Sequence, residues 1–284
     1  MESTFNWYWL VDGLQDAGHQ VRLAHPPGID QYSGLKHGDD NSDAEHLANL
    51  ARLGLLHEGF IFPRQERALR DLLRQRMRLV QQSVKLLHSI QSLWCRMTGK
   101  TLSANEFRAL EPAAIEKAFP DPTVRVGALS RIRAWKVLQE EVERAERWVL
   151  DHQPDRPGLA LLKSAPGIGK VLGLTALLET GPITRFADVG HYASYCRMVD
   201  SVRLSNGKKK GQGNRKSGNR FLCWAYIEAA HYALRHEPVR IWYQRKLAKS
   251  GLVKARKAVA HKIARGCYHV LRDREAFDIA RAFG

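Results

Sequence analysis

Cysteine is scarce in this 284-residue sequence, and long apolar runs are missing from it. The four cysteines form no Cys-x-x-Cys pair and accompany no histidine pair at metal-binding spacing; they are Cys95, Cys196, Cys223 and Cys267. This pattern argues against a zinc site or a disulfide framework, and we expect reduced thiols in the core. No apolar stretch approaches the roughly 20 residues of a membrane span, and the N-terminus has no signal-peptide pattern. The sequence therefore predicts a soluble, cytoplasmic protein without a membrane partner.

Acidic residues are also few relative to basic ones. Lys and Arg number 45 against 29 Asp and Glu, which gives a formal net charge of +16. A charge of this size exceeds what solubility requires and predicts nucleic acid as the partner. At roughly 150 residues for a typical domain, the length predicts about two domains with real cores.

The first part of the chain, residues 1–60, has the pattern of a partial α/β piece. Apolar residues at helical spacing predict a helix over 5–17 and another over 43–55. Between them, the alternation of apolar and polar residues at 20–24 predicts a strand. One strand cannot build a sheet by itself, so we expect this piece to be incomplete.

The middle of the chain, residues 61–155, is dominated by two long apolar stripes at helical spacing. They predict helices over 64–97 and 124–152, separated by a break around Pro120 and Pro122. Two long helices in succession are typical of an antiparallel hairpin or coiled coil. The simpler interpretation is a helical linker that packs on its own domain.

The last part, residues 156–284, follows a polar, proline-containing boundary. It predicts a helix, a tight turn and a helix over 161–178, a flexible basic loop over 203–220, and helices over 221–235 and 238–272. The predicted fold class is therefore mainly α-helical, with a partial α/β N-terminal piece, a helical coiled-coil middle and a helical C-terminal domain.

The tight turn in the C-terminal part has the form of a helix-hairpin-helix motif. Its glycines, Gly167 and Gly169, would let backbone N–H groups approach a DNA phosphate, and Lys170 would add a cation. A nucleotide-binding P-loop needs GxxxxGK[ST], and neither that spacing nor the hydroxyl ligand is present. The remaining alternative is a glycine turn that only joins two core helices.

The basic loop offers many cations to phosphates. The cations predicted to bind nucleic acid are Lys208, Lys209, Lys210, Arg215, Lys216 and Arg220. The loop also contains Ser201, Ser205 and Ser217, and surrounding positive charge would stabilise a phosphate attacked by a serine hydroxyl. A solvated surface loop without a function is the alternative.

Acidic residues gather before the helix predicted over 43–55. Asp40 would cap that helix by accepting hydrogen bonds from its first N–H groups, which is an ordinary role for aspartate. The alternative is metal binding, because Asp40 and Asp43 are close in sequence and Mg²⁺ prefers carboxylate oxygens. Glu2 would supply a further ligand.

Four segments, in this order and at these separations, resemble a known protein family. They are MESTFNWYWLVDGL at 1–14, GLKHGDDNSDA at 34–44, APGIG at 165–169 and SNGKKKGQGNRKSGN at 205–219. The sequence is similar over nearly its whole length to the insertion-sequence transposases related to the Piv and MooV DNA invertases. The ordered set is much more specific than any one segment.

The resemblance implies a DEDD transposase with a RuvC-like, RNase H-type domain, a coiled-coil middle and a C-terminal domain that supplies a catalytic serine. It implies recombination of DNA that is guided by a structured bridge RNA and proceeds through a covalent serine–DNA link. It also implies Mg²⁺ bound by an acidic tetrad and assembly as a dimer or a tetramer. The matching residues are Glu2, Asp40 and Asp43 for the metal and Ser205 for the nucleophile, with Ser201 as the alternative. Gly167 and Gly169 match the family's Pro-Gly-Ile-Gly turn.

One departure accompanies the resemblance. The family's first aspartate lies on a strand well before the glutamate, whereas this sequence starts at Met1, directly before Glu2. The expectation is either a truncated copy, inactive because its first acidic residue is missing, or a start codon assigned too late. The alternatives to a transposase are a non-catalytic DNA- or RNA-binding remnant and a RuvC-type junction resolvase, which would cleave without a protein–DNA adduct.

Overall fold

The computed structural model describes residues 1–3, 7–29, 40–153, 156–199, 202–212 and 218–284. This part of the chain is mainly helical, which confirms that element of the predicted fold class. It divides into two compact units, Met1–Ala68 with Val199–Gly218 and Leu69–Met198 with Asn219–Gly284. Among the helices of the described residues, none combines the length and the apolarity that crossing a membrane requires.

Helices dominate both the middle and the end of the chain. In chain order the described elements are α1 (Tyr8–Asp16), α2 (Pro26–Ile29), α3 (Asp40–Arg52), α4 (Arg64–Thr98), α5 (Ala104–Arg108), α6 (Pro112–Ala118), α7 (Pro122–His152), α8 (Pro157–Leu162), α9 (Lys170–Thr180), α10 (Val189–Tyr195), β1 (Val202–Ser205), β2 (Lys208–Gln212), α11 (Arg220–Ala233), α12 (Glu237–Ser250), α13 (Leu252–Asp273) and α14 (Ile279–Phe283). A short 3-10 turn at Ile183–Arg185 precedes α10.

In the first unit, the helix predicted over 5–17 is confirmed as α1 from Tyr8 onward. The strand predicted over 20–24 is wrong: pairing is limited to isolated bridges in which Ala24 meets Glu2 in parallel and Glu58 in antiparallel orientation. The pairing stays short because α2 begins at Pro26, directly after the bridged residue and His25. Among the described residues, an RNase H-type sheet is therefore not formed.

The helix predicted over 43–55 is α3, which begins at Asp40. Asp40 and Asp43 both lie in its first turn, where their negative charges interact favourably with the positive end of the helix dipole. Asp40 is thus inside the helix and not at the capping position before it. The helix ends at Arg52, ahead of Gly54 with φ +70°.

In the second unit, α4 and α7 run antiparallel. Arg76 Nε donates to Glu146 at 2.9 Å, and Ser83 Oγ donates to Gln139 at 3.0 Å. The residue numbers of the contacts rise along α4 and fall along α7, which shows the antiparallel direction. Pro at the start of α7 and Asp121 as its cap, with an acceptor 2.7 Å from the Thr123 N–H, fix where that helix begins. The predicted antiparallel hairpin is confirmed.

The core of the C-terminal part lies around α11 and α13. Fully buried alanines let these helices approach closely, and they include Ala229, Ala230, Ala233, Ala260 and Ala264. The single helix predicted over 238–272 is wrong, because Gly251 has φ +78° and separates α12 from α13. A residue with a positive φ cannot continue a right-handed helix.

The expectation of core thiols holds for two cysteines. Cys196 and Cys267 are fully buried, and burial raises the pKa of Cys267 to about 12. Cys95 contradicts the expectation, because it lies on the solvent-exposed side of α4. The cause is its place outside the apolar stripe that buries Ile90 and Leu93.

Candidate nucleic-acid interface

Ser205 lies at the tip of an antiparallel hairpin formed by β1 and β2. The connecting residues Asn206 and Gly207 have φ angles of +49° and +70°. Two positive φ angles in a two-residue connection are typical of a type I′ turn, which Asn-Gly favours. Ser205 pairs with Lys208 across the turn, and cross-strand partners project on the same side of a hairpin. The hairpin therefore places a serine hydroxyl beside a lysine.

The side chains of Ser205, Lys208 and Lys210 are exposed. The prediction of an irregular loop is thus wrong for residues 202–212, where the hairpin includes a register shift between Arg203 and Leu204. Lys209 lies on β2 opposite Leu204. Other predicted or alternative residues of this segment lie outside the described residues, namely Ser201, Arg215, Lys216 and Ser217.

Asn219, which follows the basic segment, is anchored in the second unit. Its side-chain oxygen accepts from the N–H groups of Phe221 at 2.9 Å and Leu222 at 3.1 Å, which caps α11. Its own N–H donates to the carbonyl of Tyr195. These bonds fix the start of α11 and hold the exposed Arg220 at its first position.

Asn219 also belongs to a buried charge network around Glu179. The Glu179 side chain is 1% exposed and accepts from Asn219 Nδ2 at 2.7 Å and from Arg70 Nε at 3.0 Å. Arg74 donates to both of its carboxylate oxygens. Although burial alone would raise it, the pKa of Glu179 is held below its usual value by Arg74 and Arg70. The carboxylate is therefore kept charged between two guanidinium groups.

This network was not predicted from the sequence. Glu179 ends an apolar helix, and its arginine partners are more than 100 positions away, at separations of 109 and 105. A lone carboxylate within the apolar pattern of α9 was the available signal, because a buried carboxylate requires a cation.

The turn and the second helix predicted within 161–178 are confirmed, since α9 begins at Lys170, whereas the first helix, α8, begins earlier than predicted, at Pro157, and ends at Leu162. Gly167 has φ +80°, and a Cβ there would come within 2.1 Å of the Ala229 carbonyl oxygen. Gly169 differs, since it has open space around it and precedes α9 without a side-chain cap. Lys170 Nζ donates to the Leu150 carbonyl at 2.8 Å. Gly167 thus serves backbone packing, and Gly169 leaves the first N–H groups of α9 approachable.

Two alanine substitutions should separate these roles. We expect Gly167→Ala to lower the free energy of unfolding by about 2 kcal/mol or more, because it adds both a positive-φ strain and a clash with α11. Gly169→Ala, the matched control, should change stability by less than about 1 kcal/mol. Urea unfolding measures both, and equal losses for the two variants would contradict the packing role of Gly167.

The three predicted acidic residues are divided between two segments of the first unit. Glu2 makes the backbone bridge to Ala24, while Asp40 and Asp43 share the first turn of α3. Within the described ranges, no group of three or more His, Cys, Asp or Glu side chains is placed to hold a metal ion. These residues therefore do not by themselves form the Mg²⁺ site that the resemblance implies.

Comparison with known proteins finds family models that match two segments of the chain. A model described as "Transposase IS116/IS110/IS902 family" matches residues 159–244, and a transposase model named for the DEDD domain of IS110 matches residues 1–95. The chain is also similar to the insertion element IS116 uncharacterized 44.8 kDa protein of Streptomyces clavuligerus, with 23% identity over 318 aligned residues covering 91% of this chain and 78% of that protein. Two separate segments of the chain are thus similar to transposase domains of the IS110/IS116/IS902 family.

Proposed function

We propose that this chain is the transposase of an insertion sequence and that it cleaves and rejoins DNA with Ser205 as the nucleophile. The observation that supports this most is the exposed position of Ser205 at a hairpin tip, next to Lys208. A nucleophile for a polymeric substrate must be accessible, and a neighbouring cation favours the negative charge that develops on the attacked phosphate.

The proposed chemistry is two successive transesterifications. The Ser205 Oγ attacks the phosphorus of one phosphodiester, the bond to a deoxyribose oxygen breaks, and that oxygen leaves as a hydroxyl after taking up the serine proton. A deoxyribose hydroxyl of another strand then attacks the phosphoserine ester and restores the free serine. Because each bond broken is matched by a bond formed, rejoining needs no external energy source.

DNA binding is proposed to involve both basic segments. The turn at Gly167 and Gly169, as a helix-hairpin-helix, would place the N–H groups at the start of α9 against a phosphate, with Lys170 at its edge. The cations of the hairpin and the following segment, together with Arg220, would neutralise further phosphates.

The role proposed for Mg²⁺ is supported by the family resemblance alone. Bound Mg²⁺ would supply charge stabilisation and orientation at a phosphate, and Glu2, Asp40 and Asp43 are the residues proposed to contribute to it. The described residues bring no three such ligands together, and none of the steps above is routed through the ion.

Three further features are part of the proposal. Residues 1–60 would be the partial DEDD domain, residues 61–155 the helical coiled-coil spacer and residues 156–284 the serine-bearing domain. A structured guide RNA would select the DNA, and the active assembly would be a dimer or a tetramer. Strand transfer with and without RNA transcribed from the flank of the element tests the guide.

The deciding experiment is incubation of the purified chain with plasmid DNA that carries the ends of its element, followed by denaturation. We expect an adduct of protein and DNA that survives SDS, together with rejoined products, because a serine ester is covalent. Cleavage without any adduct would instead indicate a resolvase-type reaction and would contradict the serine mechanism.

A second candidate is a protein that binds DNA or RNA without catalysis. The observation that favours it is the missing three-ligand acidic cluster among the described residues. This candidate predicts salt-sensitive binding with no adduct and no strand transfer, and with no dependence on magnesium or on Ser205. The same denaturing assay distinguishes it from the transposase.

A further inference from the structure

A polar, basic face runs along α4 beside the start of α11. Arg78, Gln81, Gln82 and Lys85 follow the i, i+3, i+4, i+7 spacing of one helix face, and all four are exposed. With Met77 and Arg220 they line a cleft of about 290 Å³. We call these residues the α4 basic face. The sequence analysis assigned none of the α4 members a function.

The arginines at this face are organised around one aromatic ring. The guanidinium carbons of Arg74, Arg220 and Arg78 lie 4.3, 5.0 and 5.9 Å from the centre of the Phe221 ring. Phe221 is only 6% exposed, so the ring is covered and the guanidinium groups form the outer layer. Cations held near an aromatic ring are partly desolvated and oriented, which prepares them for an anion.

The described part of the chain does not balance the charges of this face. Arg74 is neutralised by Glu179. Arg78, Lys85 and Arg220 have no carboxylate within ion-pair distance among the described residues, and the cleft lining contains no acidic side chain. Burial is the larger cause of the lowered pKa of Arg197, and the nearby positive charge of Arg220 lowers it further. Cations that no carboxylate of the described residues neutralises favour an external anion.

We propose that the α4 basic face binds the phosphate backbone of DNA. Residues 78 and 85 are separated by about 10 Å along the helix axis, which is roughly three steps of one DNA strand at 3.4 Å each. The cations contact phosphates, and the amide groups of Gln81 and Gln82 donate to the oxygens between them. This inference rests on the proposed function insofar as DNA is the substrate.

The occupant is double-stranded DNA and not single-stranded RNA. Proteins bind unpaired bases by stacking them on exposed aromatic rings. The aromatic ring at this face is buried beneath arginines, so the surface offers contacts to a backbone and no stacking platform. A contact of this kind positions DNA without reading its sequence.

The test is the double variant Arg78→Gln, Lys85→Gln. Its binding to a short fluorescent DNA duplex is measured by anisotropy at several salt concentrations. We expect about tenfold weaker binding at low salt, and a slope of log affinity against log salt that is smaller by about 1.8, which corresponds to two lost phosphate contacts. Both changes are at exposed positions, and circular dichroism checks that the helices are retained.

The matched control is Arg133→Gln, Lys136→Gln, which removes the same charge from exposed positions on α7. The control should keep the wild-type slope, and an equal effect of both double variants would overturn the proposal. A single-stranded RNA of equal length is the second probe; a larger change for RNA than for DNA would overturn the assignment to DNA. If the wild type forms the covalent adduct and the two double variants bind alike, this inference fails and the proposed function stands. If the wild type binds no DNA, both fail.

Discussion

Ser205→Ala is expected to lower the rates of covalent protein–DNA adduct formation and of strand transfer by at least about 10³-fold, because removal of the nucleophile leaves no group to form the ester. DNA binding should stay near the wild-type value. The hydroxyl contributes little to a contact dominated by cations, and Ser205 is exposed. Adduct formation is measured by SDS gel shift of labelled DNA, and binding is measured by anisotropy on the same preparations.

The control for this prediction is Ser201→Ala. It removes the alternative hydroxyl of the same basic segment and should leave adduct formation intact. The reverse result, loss in Ser201→Ala with activity in Ser205→Ala, would transfer the nucleophile to Ser201. Undiminished adduct formation in both variants would place the nucleophile on another residue and contradict the assignment to Ser205 or Ser201.

The long helices could be predicted from the sequence because local signals mark both of their ends. The helix predicted over 64–97 is observed at Arg64–Thr98, and the helix predicted over 124–152 is observed at Pro122–His152. A continuous apolar stripe sets the length of each, and proline and Asp121 set the start of α7. The prediction failed at Gly251, where one glycine within an otherwise helical pattern stops the helix.

The hairpin was missed although its turn signal is in the sequence. Asn206-Gly207 is a strong indication of a two-residue turn, but the lysines and glycines around it are depleted in strands and indicate a loop. At 20–24 the error is the reverse, because a strand was predicted where none is observed. Alternation of apolar and polar residues does not show whether a neighbouring strand is present to pair with. Within 20–24, Ala24 alone forms bridges, to Glu2 and Glu58.

The candidate site was only partly predictable for a physical reason. Ser205 and Lys208 are three positions apart, so the sequence already places them together. The Glu179 network and the α4 basic face join residues that are distant in sequence, such as Arg78 and Phe221. Long-range contacts of this kind depend on how helices pack, which single-sequence patterns do not specify.

Glu179→Gln is expected to lower the free energy of unfolding by about 3 kcal/mol or more near neutral pH. The change keeps the shape of the side chain but removes the negative charge that Arg70, which is 6% exposed, and Arg74 share. Breaking a buried ion pair by removing one partner typically costs about 3–5 kcal/mol. The measurement is urea unfolding of both proteins, followed at the helical signal.

The effect should depend on pH in a defined direction. The pKa of Glu179 in the folded protein lies below its ordinary value of 4.5, so its charge stabilises the fold above that pH. The contribution is lost as the pH falls through the lower, folded-state pKa. The difference between wild type and variant should therefore be largest near neutral pH and should shrink in acid.

The matched control is Glu146→Gln, which removes a carboxylate from the partly buried pair with Arg76, where the acid is 32% exposed. Because solvent reaches Glu146 far more than it reaches Glu179, the loss should be clearly smaller, about 1 kcal/mol. Equal losses in the two variants, or a Glu179→Gln effect that persists unchanged in acid, would contradict a buried charge network. Asn219 can still donate to the remaining amide oxygen at position 179, so we expect the folded fraction of this variant to retain the anchor at the start of α11 and to bind DNA.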